Sequence, residues 1–496
     1  MREACHFIEG RRCSGSAREI PIHDPATGEQ VATTLVADTE IVERAVDSSV
    51  QALGTWSQLE PIKRARILRA YHELVSRNSE EICEVITEEH GKTLTDAKGE
   101  LSRGLENIEY AFGIAEYLKG EHSKSVGPGI DSWSEFSPLG ICAGITPFNF
   151  PGMVPLWMFP IAIACGNTFV LKPSEKVPTT SILLAELFSE AGLPEGVLNV
   201  VQGDSQTAGY LMEHSKISAI SFVGSTPAAR SIYSVSSANG KRVQALGGAK
   251  NHAIVLPDAN LEQASNAIMG AAYGSCGQRC MALSVVVSVG KKTGDELAAV
   301  LTEKVRGLTI GPGRKNLDMG PINSAAQKER VMNLVASGVE QDATLLVDGR
   351  NHDCCRLLGY FLGGCLFDNV RPEMDIYKEE IFGPVLCLMR ADTASEALEI
   401  VNGNCYGNGA SIFTQDGHAA RQFADGVQAG MVGVNIPLPV PVANHSFGGW
   451  KHSRYGDLAA YGPDGVSFYT RRKTITERWF APDEKSTMDF AFPGGK

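Results

Sequence analysis

Cys280 follows Gly277-Gln278-Arg279, directly after a helix-like run at residues 261–272. A thiolate nucleophile needs open approach and nearby backbone donors, and a glycine-containing loop supplies both. Residue type alone decides nothing here, because the chain holds 12 cysteines and a free cysteine is ordinarily a small buried hydrophobe. Four other stretches carry groups that would suit carbonyl and nucleotide chemistry. Thr146-Pro147-Phe148-Asn149-Phe150-Pro151 sets an amide between aromatics and prolines, so Asn149 is either a rigid oxyanion donor or a turn residue. Leu171-Lys172-Pro173-Ser174-Glu175 offers a cation and a carboxylate, suited to ribose hydroxyls or to a solvated salt pair. Phe222-Val223-Gly224-Ser225-Thr226-Pro227 reads as strand, turn and helix start, with Ser225 or Thr226 able to cap and Pro227 in the first turn. A helix N-terminus favours phosphate, although no GxGxxG fingerprint accompanies this one. Lys378-Glu379-Glu380-Ile381-Phe382 places a carboxylate two residues from an aromatic, either to hold a sugar and a ring or simply as a turn.

The elements that must position these groups alternate in type. Strands are expected at 141–145, 168–171, 198–201 and 219–223, with helices at 179–191 and near 207–213 between them. Such alternation predicts a parallel, doubly wound sheet, whose ligands sit at the carboxyl ends of the strands, where Asn149, Lys172 and Gly224-Ser225 fall. A second alternating region runs from about 253 to 434, with strands at 285–289 and 432–435 and helices at 326–336 and 393–401. Upstream, Ile67, Leu68, Tyr71, Leu74 and Val75 form a helical stripe, with Lys63, Arg64, Arg66 and Arg69 mostly outside it. Pro437-Leu438-Pro439-Val440-Pro441 reads as a fixed surface or active-site loop, and residues 468–476 as an edge or subunit-pairing strand.

Composition narrows the function classes. The 496 residues suffice for two or three domains, and a net charge of −12 argues against nucleic-acid or anionic-membrane partners. No signal-peptide core or membrane-length apolar run is present, and the cysteines show no disulfide framework, so a cytoplasmic location is expected. Cys354, Cys355, Cys365 and His352 lack the CxxC or paired-histidine spacing of a metal site, so no metal is expected.

Taken in order, these motifs resemble the aldehyde dehydrogenase superfamily over essentially the whole chain. They resemble most its CoA-acylating methylmalonate-semialdehyde and malonate-semialdehyde dehydrogenases, through Gly247-Gly248-Ala249-Lys250-Asn251-His252 and Gly277-Gln278-Arg279-Cys280-Met281-Ala282-Leu283-Ser284. Asn369-Val370-Arg371-Pro372-Glu373-Met374 and His445-Ser446-Phe447-Gly448-Gly449-Trp450-Lys451 extend the match. The resemblance implies an α/β fold of two doubly wound domains, Rossmann-like and catalytic, plus a small β oligomerisation extension. It implies boundaries of 1–119 and 140–246 for NAD binding, 247–450 for catalysis, and 120–139 with 451–496 for the extension, in a homodimer or homotetramer. Cys280 is implied as nucleophile, with Asn149 and the Cys280 N–H as oxyanion donors. NAD contacts are implied at Thr146, Phe148, Lys172, Glu175, Lys176, Ser225, Glu380 and Phe382. Glu175 near the adenine ribose would crowd a 2′-phosphate and favours NAD over NADP.

Departures from the pattern carry information. Hydrolytic members have Glu-Leu-Gly-Gly-Lys, whose glutamate activates water, whereas this chain reads Ala245-Leu246-Gly247-Gly248-Ala249-Lys250. Neither Ala245 nor Leu246 can accept a proton, so a thioester should persist until a thiol such as coenzyme A arrives. Arg279 and Arg103, in Leu101-Ser102-Arg103-Gly104-Leu105, are implied to hold the substrate's free carboxylate, a task that suits a guanidinium. The expected substrates are therefore small semialdehydes and CoA. One methyl group, worth about 1–3 kcal/mol in a pocket, does not let the sequence choose between malonate and methylmalonate semialdehyde. Phe361-Leu362-Gly363-Gly364-Cys365 replaces a more usual Gly-Pro-Thr, a change expected to affect packing alone.

Overall fold

In a computed structural model, residues 2–15 and 18–480 are described; the part of the expected extension at 481–496 lies outside them. Ile141–Ile145 and Thr168–Lys172 are wholly buried runs, as strands covered on both faces must be. They pair in parallel with each other, and Ile217–Val223 and Leu198–Val200 flank them, also in parallel. Arg242–Leu246 continues the parallel set, while His6–Ile8, Arg11–Cys13 and Arg454–Tyr455 complete an eight-stranded sheet antiparallel at its edges. Side chains alternate between two cores: Cys142, Phe169 and Leu171 face one, Ile141, Ala143, Ile145 and Val170 the other.

The helix Met153–Ala164 was not legible as one, since it contains Pro155 and Pro160. All of its residues are buried, and tertiary packing overrides the weak local propensity. The amphipathic helix upstream forms as Pro61–Arg77 and buries Leu68, Tyr71 and Val75. Arg64 departs from expectation: it is buried, donating from Nε to the Ala164 carbonyl at 2.8 Å and from Nη1 to that of Leu59. Its guanidinium satisfies the last carbonyl of the buried Met153–Ala164 helix.

A second, seven-stranded sheet runs in the order Thr344–Val347, Cys365–Asp368, Val385–Ala391, Leu283–Val289, Asn251–Val255, Gly409–Phe413 and Met431–Val434. All its pairings are parallel except the first, and one continuous core surrounds it. Thr470–Arg478 forms a largely exposed outer strand, antiparallel to Ile130–Pro138, with His122–Gly127 beyond. Residues 454–468, grouped by sequence with this extension, pack instead on the first sheet: Arg454–Tyr455 pairs with its Arg242–Leu246 edge, and Gly462–Phe468 rests on Met153–Ala164. Among the described residues no helix is long and apolar enough to cross a membrane.

Candidate active site

Asn260 caps the helix Leu261–Tyr273 by accepting the Gln263 N–H at 3.1 Å, and the chain then tightens into a turn at Gly274–Gly277. Ser275, Cys276 and Gly277 take positive φ values of 51°, 55° and 67° in succession. At Gly277 a Cβ would meet the Gly383 carbonyl oxygen at 2.1 Å, so only glycine fits there. Gln278 is buried and accepts the Asn323 N–H at 3.0 Å. This route delivers Cys280, partly exposed, to a cavity of about 840 Å³.

Two residues that the sequence reading did not single out fix the Cys280 backbone. Asn251 Nδ2 and Asn408 Nδ2 each donate to the Cys280 carbonyl at 3.0 Å. Asn251 also donates to the Ala282 carbonyl at 2.9 Å and accepts the Gly409 N–H at 3.0 Å, knitting three neighbouring segments together. Burial pushes the Cys280 thiol up to about 12 and the Glu380 charge adds to this; the N–H groups of Cys280 and Met281 and the Lys92 charge pull it down. Burial thus opposes ionisation of the thiol, and the backbone N–H groups and Lys92 favour it.

Asn149 is buried just past the strand Ile141–Ile145 and shares the cavity with Cys280. Its backbone is anchored by an unforeseen cation: Lys92 Nζ donates to the Asn149 carbonyl at 2.7 Å and to Glu100 Oε2 at 2.6 Å. The Lys92 and Glu100 side chains are 1% and 0% exposed. The other Glu100 oxygen accepts the N–H groups of Gly152 and Met153 at 2.7 and 3.1 Å. Lys92 also lies over the Phe150 ring, 4.4 Å from its centroid.

The cavity opens at the carboxyl ends of the first sheet's strands. Thr146, Phe148, Lys172, Glu175 and Lys176 line it from one side, and Ser225, Glu380 and Phe382 from the others, so these expected contacts lie together. Lys172 Nζ donates to the Pro173 carbonyl at 2.7 Å and to that of Gly203, and stands 3.8 Å from Glu175. Lys176 covers the Phe148 ring at 4.7 Å, and Phe148 meets Phe382 edge-on. Ser225 is the N-cap of Thr226–Ala238 but makes no side-chain bond to it, and Pro227 sits in the first turn. Thr226 Oγ1 instead accepts the Gly248 N–H at 2.9 Å. The helix thus offers backbone donors to the cavity, a cradle suited to the pyrophosphate of a dinucleotide.

Glu380 Oε1 accepts the Ala249 N–H at 2.9 Å, and burial raises the carboxyl to about 7. The preceding segment is held by Lys250, whose Nζ donates to the carbonyls of Ile376 and Glu379, both at 2.7 Å. Burial lowers this ammonium to about 8. Ala245 and Leu246 are buried, apolar and at the end of the strand Arg242–Leu246. Neither expected substrate arginine lines the cavity. Arg279 pairs with Asp96, and Arg103 with Glu106 at 2.7 Å, near Tyr461. Cys354, Cys355, Cys365 and His352 do not converge as ligands; His352 Nδ1 accepts the Cys354 N–H at 3.1 Å.

Residues 13–475 match the family model described as the aldehyde dehydrogenase family. A malonate-semialdehyde dehydrogenase of Pseudomonas aeruginosa is 55% identical over 98% of this chain and 99% of its own. The crystal structure of a methylmalonate-semialdehyde dehydrogenase from Oceanimonas doudoroffii superposes with a TM-score of 0.96 at 53% identity, over 97% of this chain and 99% of that one. A Sinorhizobium meliloti structure in complex with NAD, assigned as a methylmalonate-semialdehyde dehydrogenase, matches with a TM-score of 0.96 at 51% identity over the same shares.

Proposed function

Because the chain belongs to the aldehyde dehydrogenase family, we propose that it is an NAD-dependent, CoA-acylating dehydrogenase of malonate semialdehyde, methylmalonate semialdehyde or both. The work passes through a thioester on Cys280. In this reading the Cys280 thiol gives up its proton to solvent, the thiolate attacks the aldehyde carbon, and the Asn149 amide with the Cys280 N–H takes the charge that develops on oxygen. Lys172 and Glu175 suit the hydroxyls of one ribose, Glu380 those of the other, and the uncapped start of Thr226–Ala238 suits the pyrophosphate. Bound NAD supplies the hydride acceptor. By the family resemblance Arg103 and Arg279, which stand outside the Cys280 cavity on Glu106 and Asp96, hold the substrate carboxylate, which leaves as carbon dioxide through an enolate before CoA attacks. The products are acetyl-CoA or propionyl-CoA.

The observation that carries acyl transfer to CoA is the apolar pair Ala245 and Leu246 where hydrolytic relatives place their base. Neither of these side chains can activate water, whereas the CoA thiol is partly ionised near neutral pH. One feature favours a hydrolytic reading: the Glu380 carboxyl, raised to about 7, rests against the same Gly248-Ala249 backbone and is the base such a reaction would need. Steady-state turnover of both semialdehydes with and without CoA, with the acyl product identified, separates the two. Collapse of turnover without CoA and formation of acyl-CoA support transfer; undiminished release of free acid overturns it.

We assign residues 1–119 and 140–246 to NAD binding and 247–450 to catalysis, with the extension centred on the sheet of 122–138 and 470–478. The unpaired edge and exposed faces of Thr470–Arg478 support a homodimer or homotetramer. A cytoplasmic location agrees with cysteines that are all free.

A further inference from the structure

Asp96 lies in the first turn of Leu94–Ala111, where its N–H is taken by the Thr93 hydroxyl at 3.2 Å. Its carboxylate is left to reach across to the nucleophile loop. One oxygen accepts from Arg279 Nη2, and the other accepts the Ser275 N–H at 2.9 Å. The second terminal nitrogen of Arg279 donates to the Gly270 carbonyl at 3.3 Å. The guanidinium lies flat against Gly274, where a Cβ would come within 2.6 Å of Nη1. Side-chain exposures of 19% for Arg279 and 18% for Asp96 distinguish this pair from a solvated surface bridge.

We propose that Asp96 is the positioning residue behind selectivity for carboxylate-bearing aldehydes, because it locks the guanidinium of Arg279, the residue before the nucleophile, against Gly274. The proposal rests on the reading of Arg279 as a partner of the substrate carboxylate. An arginine left to itself samples many rotamers, and each must be given up when a ligand binds. Asp96, Gly270 and Gly274 remove that freedom in advance. They engage only part of the five-donor fork, so donors remain for a second carboxylate. Arg103 follows Asp96 by seven residues, about two turns along the same helix face, with Glu100 between them on Lys92. One rigid helix therefore sets both arginines in a common frame.

The test is the ratio of kcat/KM for malonate semialdehyde to that for propanal, which lacks the carboxylate. Asp96→Asn keeps an oxygen for the Ser275 N–H and releases the guanidinium. Gly274→Ala displaces the guanidinium without touching Asp96, at a backbone φ of −53° that alanine accepts. Each is expected to lower the ratio by about tenfold or more, chiefly through KM for the semialdehyde. In an Arg279→Ala background, Asp96→Asn should change the ratio by less than about twofold. If Arg279→Ala lowers the ratio while both other variants leave it intact, Asp96 is not the positioning residue and the reading of Arg279 stands. If Arg279→Ala leaves the ratio intact, that reading and this proposal fall together. A ratio that rises in Asp96→Asn would make Asp96 a competitor of the substrate and overturn the proposal. Should Asp96→Asn not fold, Gly274→Ala decides.

Discussion

Replacing Lys92 by methionine would remove the ammonium that joins Glu100 to the Asn149 backbone. Glu100 would keep the Gly152 and Met153 N–H groups on one oxygen and lose its counter-charge, while its side chain stays 0% exposed. Breaking a buried pair from one side costs about 3–5 kcal/mol, because the remaining charge is uncompensated. Unfolding entropy of about 2.1 cal/mol/K per residue gives about 1 kcal/mol/K for 496 residues, so a loss of about 4 kcal/mol lowers Tm by about 4 °C. Adding Glu100→Gln removes the stranded charge and keeps an oxygen for both N–H groups. The double variant should therefore regain about half of the shift. Catalysis should suffer too, since Asn149 loses its tether. Deleting an oxyanion donor outright costs about 10²–10³ in kcat, and displacing one through its backbone should cost about 10–100-fold. Differential scanning calorimetry and pre-steady-state NADH formation measure the two effects. A Tm shift below about 1 °C, or a kcat within about twofold of the parent, would refute the reasoning.

Cys280→Ala should abolish NADH formation while leaving NAD binding measurable by calorimetry; retained turnover would remove Cys280 from the mechanism. An ionised Glu380 accepts ribose hydroxyls more strongly than the neutral acid, and with its carboxyl raised to about 7 NAD affinity should climb with pH. Between about pH 6 and about pH 8 the gain should be up to about tenfold in the parent and absent in Glu380→Gln, as read by fluorescence titration. Asn408→Leu leaves the Cys280 carbonyl with Asn251 alone and should lower kcat more than it raises KM for either semialdehyde. An unchanged kcat would make the second amide dispensable.

The groups proposed to do the chemistry were legible because each stands in a short local pattern: Cys280 after a glycine, Asn149 between prolines, Glu380 before Phe382. The alternation of strand and helix gave both sheets, since fully buried parallel strands read as apolar runs of the right length. What stayed hidden depends on partners distant in sequence. Asp96, Lys92 and Glu100 look like ordinary surface charges until the fold sets them against residues 149, 152 and 275. Asn408 has no local signature, and its role comes from Gly409–Phe413 lying beside Asn251–Val255. Arg64 shares its helix with Lys63, Arg66, Arg69 and Arg77, and a carbonyl 100 residues away singles it out. Prolines at 155 and 160 masked a helix that burial alone enforces.

The left-handed run at Ser275, Cys276 and Gly277 bears on how such enzymes can be recombined. Non-glycine residues keep positive φ only where their surroundings leave no alternative. Here part of that constraint comes from Asp96 on Ser275, and part from Asn323, which donates its N–H to the Gln278 side chain and its amide to the Glu89 and His90 carbonyls. The shape of the nucleophile's loop is thus written partly in residues 89–96. A chimera that joins the second sheet to a relative's N-terminal half would inherit Cys280 without the contacts that aim it. Crossover points that carry residues 89–103 together with 274–323 should yield working hybrids far more often than those that part them.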